Sequence, residues 1–102
     1  MTRGQVWWYE HPTSGRRPFL VLTRTEACAV LNQVLAVPAT RTVRHIPTEV
    51  ALDEADGMSA SCVLNLDNLS LVRTSLLTDQ ITTLGPARMA QVCSALAVAT
   101  DC

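Results

Sequence analysis

Lysine is absent from the 102 residues, so all the side-chain cations apart from histidine are eight arginines. An arginine is a planar fork that can hold a phosphate through two parallel hydrogen bonds, which the point charge of lysine does not offer. Aromatic residues are also scarce, and three of the four stand together as Trp7, Trp8 and Tyr9. Charged residues make up 17% against 48% hydrophobic, which excludes a disordered acidic or basic tail and leaves apolar surface for a partner or a second copy. No apolar run reaches membrane-spanning length, since "CAVLNQVLAV" is interrupted at Asn32 and Gln33. The opening "MTRGQVWWYEHP" lacks the apolar centre of a signal peptide. The expectation is a cytoplasmic protein with no membrane association.

Several catalytic signatures are missing as well. There is no P-loop, no GxGxxG, no HExxH and no GxSxG elbow. The four cysteines (Cys28, Cys62, Cys93, Cys102) show no CxxC spacing, and His11 and His45 lie away from them. They read as small buried thiols in a reducing compartment. The acids at 53–56 lack the oxygen-ligand spacing of a calcium loop, so no metal and no cofactor are expected.

What is present is unevenly spread. Residues 1–45 carry six arginines against Glu10 and Glu26, a net of +4, while residues 46–102 carry a net of −5. One part of the chain is suited to meet an anion while the rest stays acidic. The pattern predicts six or seven short strands followed by a helix. "GQVWWY" is aromatic and β-prone and stops at the turn formers "EHPTSG"; "PFLVLT" is a strand buried on both faces. "EACAVLN" reads as a short helical or irregular crossover, and "QVLAVPAT" as a strand with Pro38 at a bulge or end. "TEVAL" follows, and "CVLNLDNLSLV" alternates until Asp67-Asn68 marks a bend. After "DQITTL", Gly85-Pro86 starts a helix whose buried face is expected at Met89, Val92, Cys93, Leu96 and Ala97. The expected fold is mostly β with α, a single domain over 1–102 in a small antiparallel barrel or curled sheet with a C-terminal helix.

Two arginines stand together in "GRRP" and others are interspersed with threonines in "PATRTVRH", a pattern suited to phosphate, and the aromatic cluster offers a stacking platform for bases. Exposed loop arginines are ordinary in themselves, and paired tryptophans are more often core. The order of segments goes further. "RGQVWW" (3–8), "GRRPFLVLT" (15–23), "VLAVPAT" (34–40), "IPTEVAL" (46–52), "CVLNLDNLSLV" (62–72) and the helix after "ITTLGP" succeed one another as in the MazF/PemK toxins, which the chain resembles along its whole length.

The resemblance implies an SH3-like antiparallel β-barrel of the CcdB/MazF kind, dimerised, and a toxin that cuts single-stranded RNA without a metal. In that chemistry the ribose 2′-OH attacks phosphorus to leave a 2′,3′-cyclic phosphate and a 5′-OH. It implies Arg17 as catalytic arginine, through "RRP", and Thr40 as catalytic hydroxyl, through "PAT". Arg16, Arg41, Arg44, His45 and Trp7 are the expected RNA contacts, with the turn after Tyr9 and a 41–46 hairpin setting base selectivity. The implied partners are RNA, a second copy and a MazE-like antitoxin with a disordered acidic tail. The general base stays open, with His45 and Glu49 near enough in sequence to be considered. Two alternatives remain: a non-catalytic RNA- or peptide-binding barrel, and a gyrase poison, which the ending "ATDC" in place of Trp-Gly-Ile disfavours.

Overall fold

The first two strands, β1 (Gln5–His11) and β2 (Gly15–Val21), form a hairpin joined by only three residues. Such a turn needs one residue in the left-handed region, and Gly15 supplies it at φ +80°. The His11 imidazole closes the turn, its Nδ1 accepting from the amides of Thr13 and Ser14 at 3.1 Å each. The hairpin belongs to a computed structural model that describes residues 1–102. A short helix α1 (Thr25–Cys28) leads to β3 (Gln33–Thr40), then β4 (Glu49–Leu52), β5 (Cys62–Asn65), β6 (Ser70–Arg73) and β7 (Leu77–Thr83). The chain closes with helix α2 (Pro86–Thr100), which starts behind Gly85 with proline at its first turn.

The strands form an antiparallel sheet in the order β4-β5-β3-β2-β1-β7. It curls without closing, so the barrel expected from sequence is an open one with edges at β4 and β7. Register shifts between Val6 and Trp7 and between Trp8 and Tyr9 add twist where β1 meets β7. Strand β3 is shared. Its first half pairs with β6 (Leu35 with Leu71, Ala36 with Ser70) and its end with β5 (Ala39 with Leu64, Thr40 with Val63). The expected bend at Asp67-Asn68 is a 3₁₀ turn, Leu66–Asn68, that separates β5 from β6. Pro38 falls in the gap where β3 changes partner, a place where a missing N–H breaks no ladder.

Alternation along β2 explains its apolar run. Leu20 and Leu22 enter a cluster with Val6, Val37, Leu52, Leu64 and Val92 beneath α2. Phe19 and Val21 enter a second cluster with Val34, Ala36, Val72 and Leu77 on the other face. Truncating Leu20 or Leu64, both fully buried, removes about 2–5 kcal/mol by the usual cavity cost.

Three expectations are corrected here. Helix α2 buries Val92 and Ala95 and half-buries Met89, Leu96 and Ala99, which leaves Cys93 exposed. Of the four thiols only Cys28 is buried; Cys62 is half-buried, and Cys93 and Cys102 face outward. Residues 41–46 are not a hairpin, because β3 and β4 are not neighbours; β5 inserts between them and 41–48 is a connecting loop.

A polar latch ties that sheet to α2. Asp53 and Asp56 form a capping box around the 3₁₀ turn Glu54–Asp56, and Arg88 of α2 donates to both oxygens of Asp56 at 2.9 and 3.0 Å. Arg88 holds the Asp56 carboxyl below its ordinary value, the loss of solvent opposing it less strongly. A lowered carboxyl contributes stability that is complete above the unfolded value of 3.8 and disappears as pH falls through the folded one. Arg88→Ala is therefore expected to cost about 1.5–3 kcal/mol near neutral pH and to flatten the acid limb of a stability-versus-pH curve. Urea unfolding at a series of pH values checks both, and an unchanged acid limb would show that the pair contributes nothing.

Candidate functional site

Proline restricts the residue before it to extended backbone, and Arg17 precedes Pro18. Arg16 and Arg17 both lie in β2 itself, not in a loop. They face opposite ways. Arg16 pairs with Glu10 and Arg17 with Tyr9 across the hairpin. The Tyr9 ring packs against Phe19 at 4.9 Å between centroids, so the Arg17 side rests on a firm aromatic base.

Pairing between β2 and β3 ends at Phe19–Pro38. Arg17 on β2 and Thr40 on β3 each stand two residues beyond that last pair, and Thr40 pairs instead with Val63 of β5. Beyond that pair opens a cleft of about 110 Å³ lined by Trp8, Pro18, Thr40, Arg41, Ser59 and Cys62; Arg17, on the other face of β2 from Pro18, does not line it. The Thr40 hydroxyl oxygen accepts from the Thr42 amide at 3.2 Å, which leaves its O–H free to donate. Arg16, Arg17, Arg41 and Arg44 carry no ion pair, since the single salt bridge in the structure is Arg88–Asp56. Of these guanidiniums Arg41 lines the cleft, Arg16 lies on the Trp8 ring at its edge, and Arg17 stands on the opposite face of β2.

The loop that follows is held by its backbone. The Arg44 amide donates to both carboxylate oxygens of Glu49, at 3.0 and 3.2 Å, and His45 adopts a left-handed φ of 54°. Glu49 is thus committed to closing the 41–48 loop. His45 is exposed and makes no side-chain hydrogen bond. On the cleft wall, burial and the nearby Asp56 charge raise the Cys62 thiol, with Arg41 acting against them, so it stays protonated at neutral pH.

Residues 2–100 match the model of the PemK-like, MazF-like toxins of type II toxin–antitoxin systems. The chain belongs to the PemK/MazF toxin family. It is 39% identical to a probable endoribonuclease, MazF5, of Mycobacterium tuberculosis over 98% of this chain and 93% of the relative. Among solved structures it resembles an endoribonuclease in complex with its cognate antitoxin from a mycobacterial species, with a TM-score of 0.89 and 31% identity over 99% of this chain and 95% of the other. The M. tuberculosis toxin MazF-mt6 superposes with a TM-score of 0.88 at 29% identity, covering 95% and 96% of the two chains. The open, curled sheet with its C-terminal helix is therefore the MazF fold.

Seen as a MazF-type toxin, the chain brings together some of the residues expected from sequence and separates others. Thr40 and Arg41 line the cleft together, while Arg17 stands outside its walls. Trp7 stays with the second apolar cluster, its indole N–H donating to Gln5 Oε1 at 3.0 Å. Trp8 is the tryptophan that reaches the cleft, and the Arg16 guanidinium lies over its ring at 4.1 Å from the centroid. Strand alternation shows that Trp7 and Trp8 must point apart, but not which of them faces the arginine. No helix is long and apolar enough to cross a membrane.

Proposed function

We propose that this toxin cuts single-stranded RNA without a metal, using Arg17 and Thr40 on the scissile phosphate and leaving 2′,3′-cyclic phosphate and 5′-OH ends. The endoribonuclease activity itself follows from the family to which the chain belongs. The site reading is supported by one arrangement above the others: Arg17, free of any ion pair, and Thr40 each stand two residues beyond the last β2–β3 pair, Phe19–Pro38. In-line attack by a 2′-OH develops charge on the nonbridging oxygens. A fork-shaped donor on an extended strand is preorganised for that charge. Thr40 donates to the same phosphate, while Arg41 and Arg44 on the following loop hold the flanking backbone. His45, exposed in that loop, carries an imidazole of the kind that serves in proton transfer.

The same reading takes the chain over 1–102 as one toxin domain in the cytoplasm, a homodimer neutralised by an antitoxin. An acidic, disordered antitoxin segment complements the unpaired arginines and folds as it covers them. For the dimer, Val30, Leu31, Leu35 and Leu71 form an apolar surface at 76%, 45%, 44% and 60% exposure, continuous with the β3–β6 pairing.

Purified protein is expected to sediment as a dimer and to cut a long single-stranded RNA in EDTA. Every cut should carry a cyclic phosphate on one side and a 5′-OH on the other. Intact RNA, or cutting that only an added divalent ion restores, would overturn the mechanism. A sedimenting monomer would overturn the dimer.

A further inference from the structure

A second cleft, of about 480 Å³, adjoins the one at Thr40 and shares Trp8, Pro18, Met58 and Ser59 with it. Small-molecule sites commonly have about 300–1,000 Å³, so the space is sufficient for a nucleobase. Its floor is apolar and half-buried or buried, from Trp8, Pro18, Met58 and Ile81. Its rim carries Arg16, already stacked on Trp8, and Asp79, which pairs with Trp8 across β1 and β7. The Asp79 carboxylate makes no hydrogen bond or ion pair within the chain, so all of its acceptor capacity faces the cleft and solvent.

These features select against one half of a nucleotide and for the other. A carboxylate repels phosphate, so the rim does not serve the backbone. An indole with a guanidinium lying on it is a π platform, and bases stack on aromatic rings and arginine planes alike. A carboxylate at the edge of a stacked base accepts N–H donors from its Watson–Crick edge. Guanine presents two adjacent donors there, its ring N1–H and its exocyclic amine, which match the two carboxylate oxygens. Uracil offers a single N–H flanked by two carbonyls that the same carboxylate repels.

We propose that the cleft between Trp8, Arg16 and Asp79 is a nucleobase subsite beside the scissile phosphate, and that Asp79 makes it select guanine. This rests on the RNA-cutting function given above and names what one of its subsites reads. It assigns specificity to Asp79 and Trp8, neither of which follows from the arginine motifs. Asp79 sits more than sixty residues from Arg16 in the chain and reaches it only through the β1–β7 pairing.

The test is a set of short single-stranded RNAs with the positions flanking the cut randomised one at a time, the cut ends being sequenced. Wild-type protein is expected to favour guanine strongly at one flanking position. Asp79→Asn should lower kcat/KM on the guanine substrate by about tenfold to a hundredfold and narrow the ratio between guanine and the other bases. Trp8→Ala should raise KM at that position whichever base is present. Asp101→Asn, an exposed carboxylate at the end of α2, is the control and leaves the profile as in wild type. If wild-type protein cuts RNA but Asp79→Asn keeps the same base profile, the subsite assignment is wrong while the nuclease reading stands. If wild-type protein cuts none of the substrates, the nuclease reading falls and takes the subsite with it.

Discussion

Arg17→Ala is expected to lower the rate of RNA cutting by at least about 10²–10³-fold, the usual cost of deleting one preorganised donor to a developing oxyanion. The loss should fall on kcat, because the donor is needed most when charge accumulates on the phosphorane. Folding should be almost untouched. The side chain is exposed, has no ion pair or hydrogen bond, and changes of that kind stay within about 0.5 kcal/mol. Arg17→Lys keeps the charge and loses the fork, so it should fall between wild type and alanine. Arg16→Ala makes the useful contrast. Arg16 points to the opposite face of β2 and lies on Trp8, so its removal should raise KM more than it lowers kcat. Single-turnover cutting of one oligonucleotide, with melting temperatures measured alongside, separates these outcomes. Wild-type rates in Arg17→Ala would remove Arg17 from the chemistry.

The second large effect concerns stability. Gly57→Ala is expected to destabilise the protein by about 2–5 kcal/mol, a large share of the roughly 5–15 kcal/mol that holds a domain together. Two costs add. Gly57 has φ +91°, which an L side chain enters at about 1–2 kcal/mol. A Cβ placed there would also stand 2.3 Å from Oγ1 and 2.8 Å from Cβ of Thr82, and relieving such overpacking costs about 1–3 kcal/mol. Thr82 cannot simply turn away, because its hydroxyl donates to the Asp56 carbonyl at 2.8 Å. Trimming it to alanine should not rescue the variant, since its own Cβ remains too close. Urea unfolding decides the matter, and a midpoint equal to wild type would mean that the turn relaxes freely. The residues after Gly57, Met58 and Ser59, form a wall common to both clefts. A loosened turn should therefore also broaden base selectivity in whatever protein remains folded.

Much of this architecture was readable from local pattern. The run Phe19–Thr23 is buried throughout, as an uninterrupted apolar strand requires, and Gly85-Pro86 marks the start of α2. The errors have physical causes. Helix α2 carries alanine on several sides, so its apolar stripe has no sharp period, and spacing alone puts Cys93 on the buried face although it lies outside. The segment 41–46 looked like a hairpin because a local reading joins consecutive strands. The pairing of β5 between β3 and β4 is a non-local choice that no short window contains.

The site divides in the same way. Arg17 and Thr40 are named from their motifs, yet that both stand just beyond the Phe19–Pro38 pair depends on the β2–β3 register. Trp8 and Trp7 are indistinguishable by composition. Pairing of Trp8 with Pro18 and Asp79, and of Trp7 with Phe19 and Gln80, separates them. Asp79 was invisible as a candidate because its neighbours in sequence are ordinary strand residues.

The burial of β2 on both faces has a consequence for how such toxins diversify. The strand commits its second half, Phe19–Val21, wholly to the interior, while its first half, Gly15–Arg17, lies outside. On the proposed reading of the site, changes at Arg16, in the three-residue turn or on the exposed part of β7 shift which RNA is chosen with little loss of folding energy, while Gly15 is held by its φ of +80° and Arg17 by the chemistry. Changes in the second half are expected to be filtered out before any substrate is met. One seven-residue strand thus separates a mutable reading head from an inherited frame, so a lineage of duplicated toxins can drift in target without passing through unfolded ancestors.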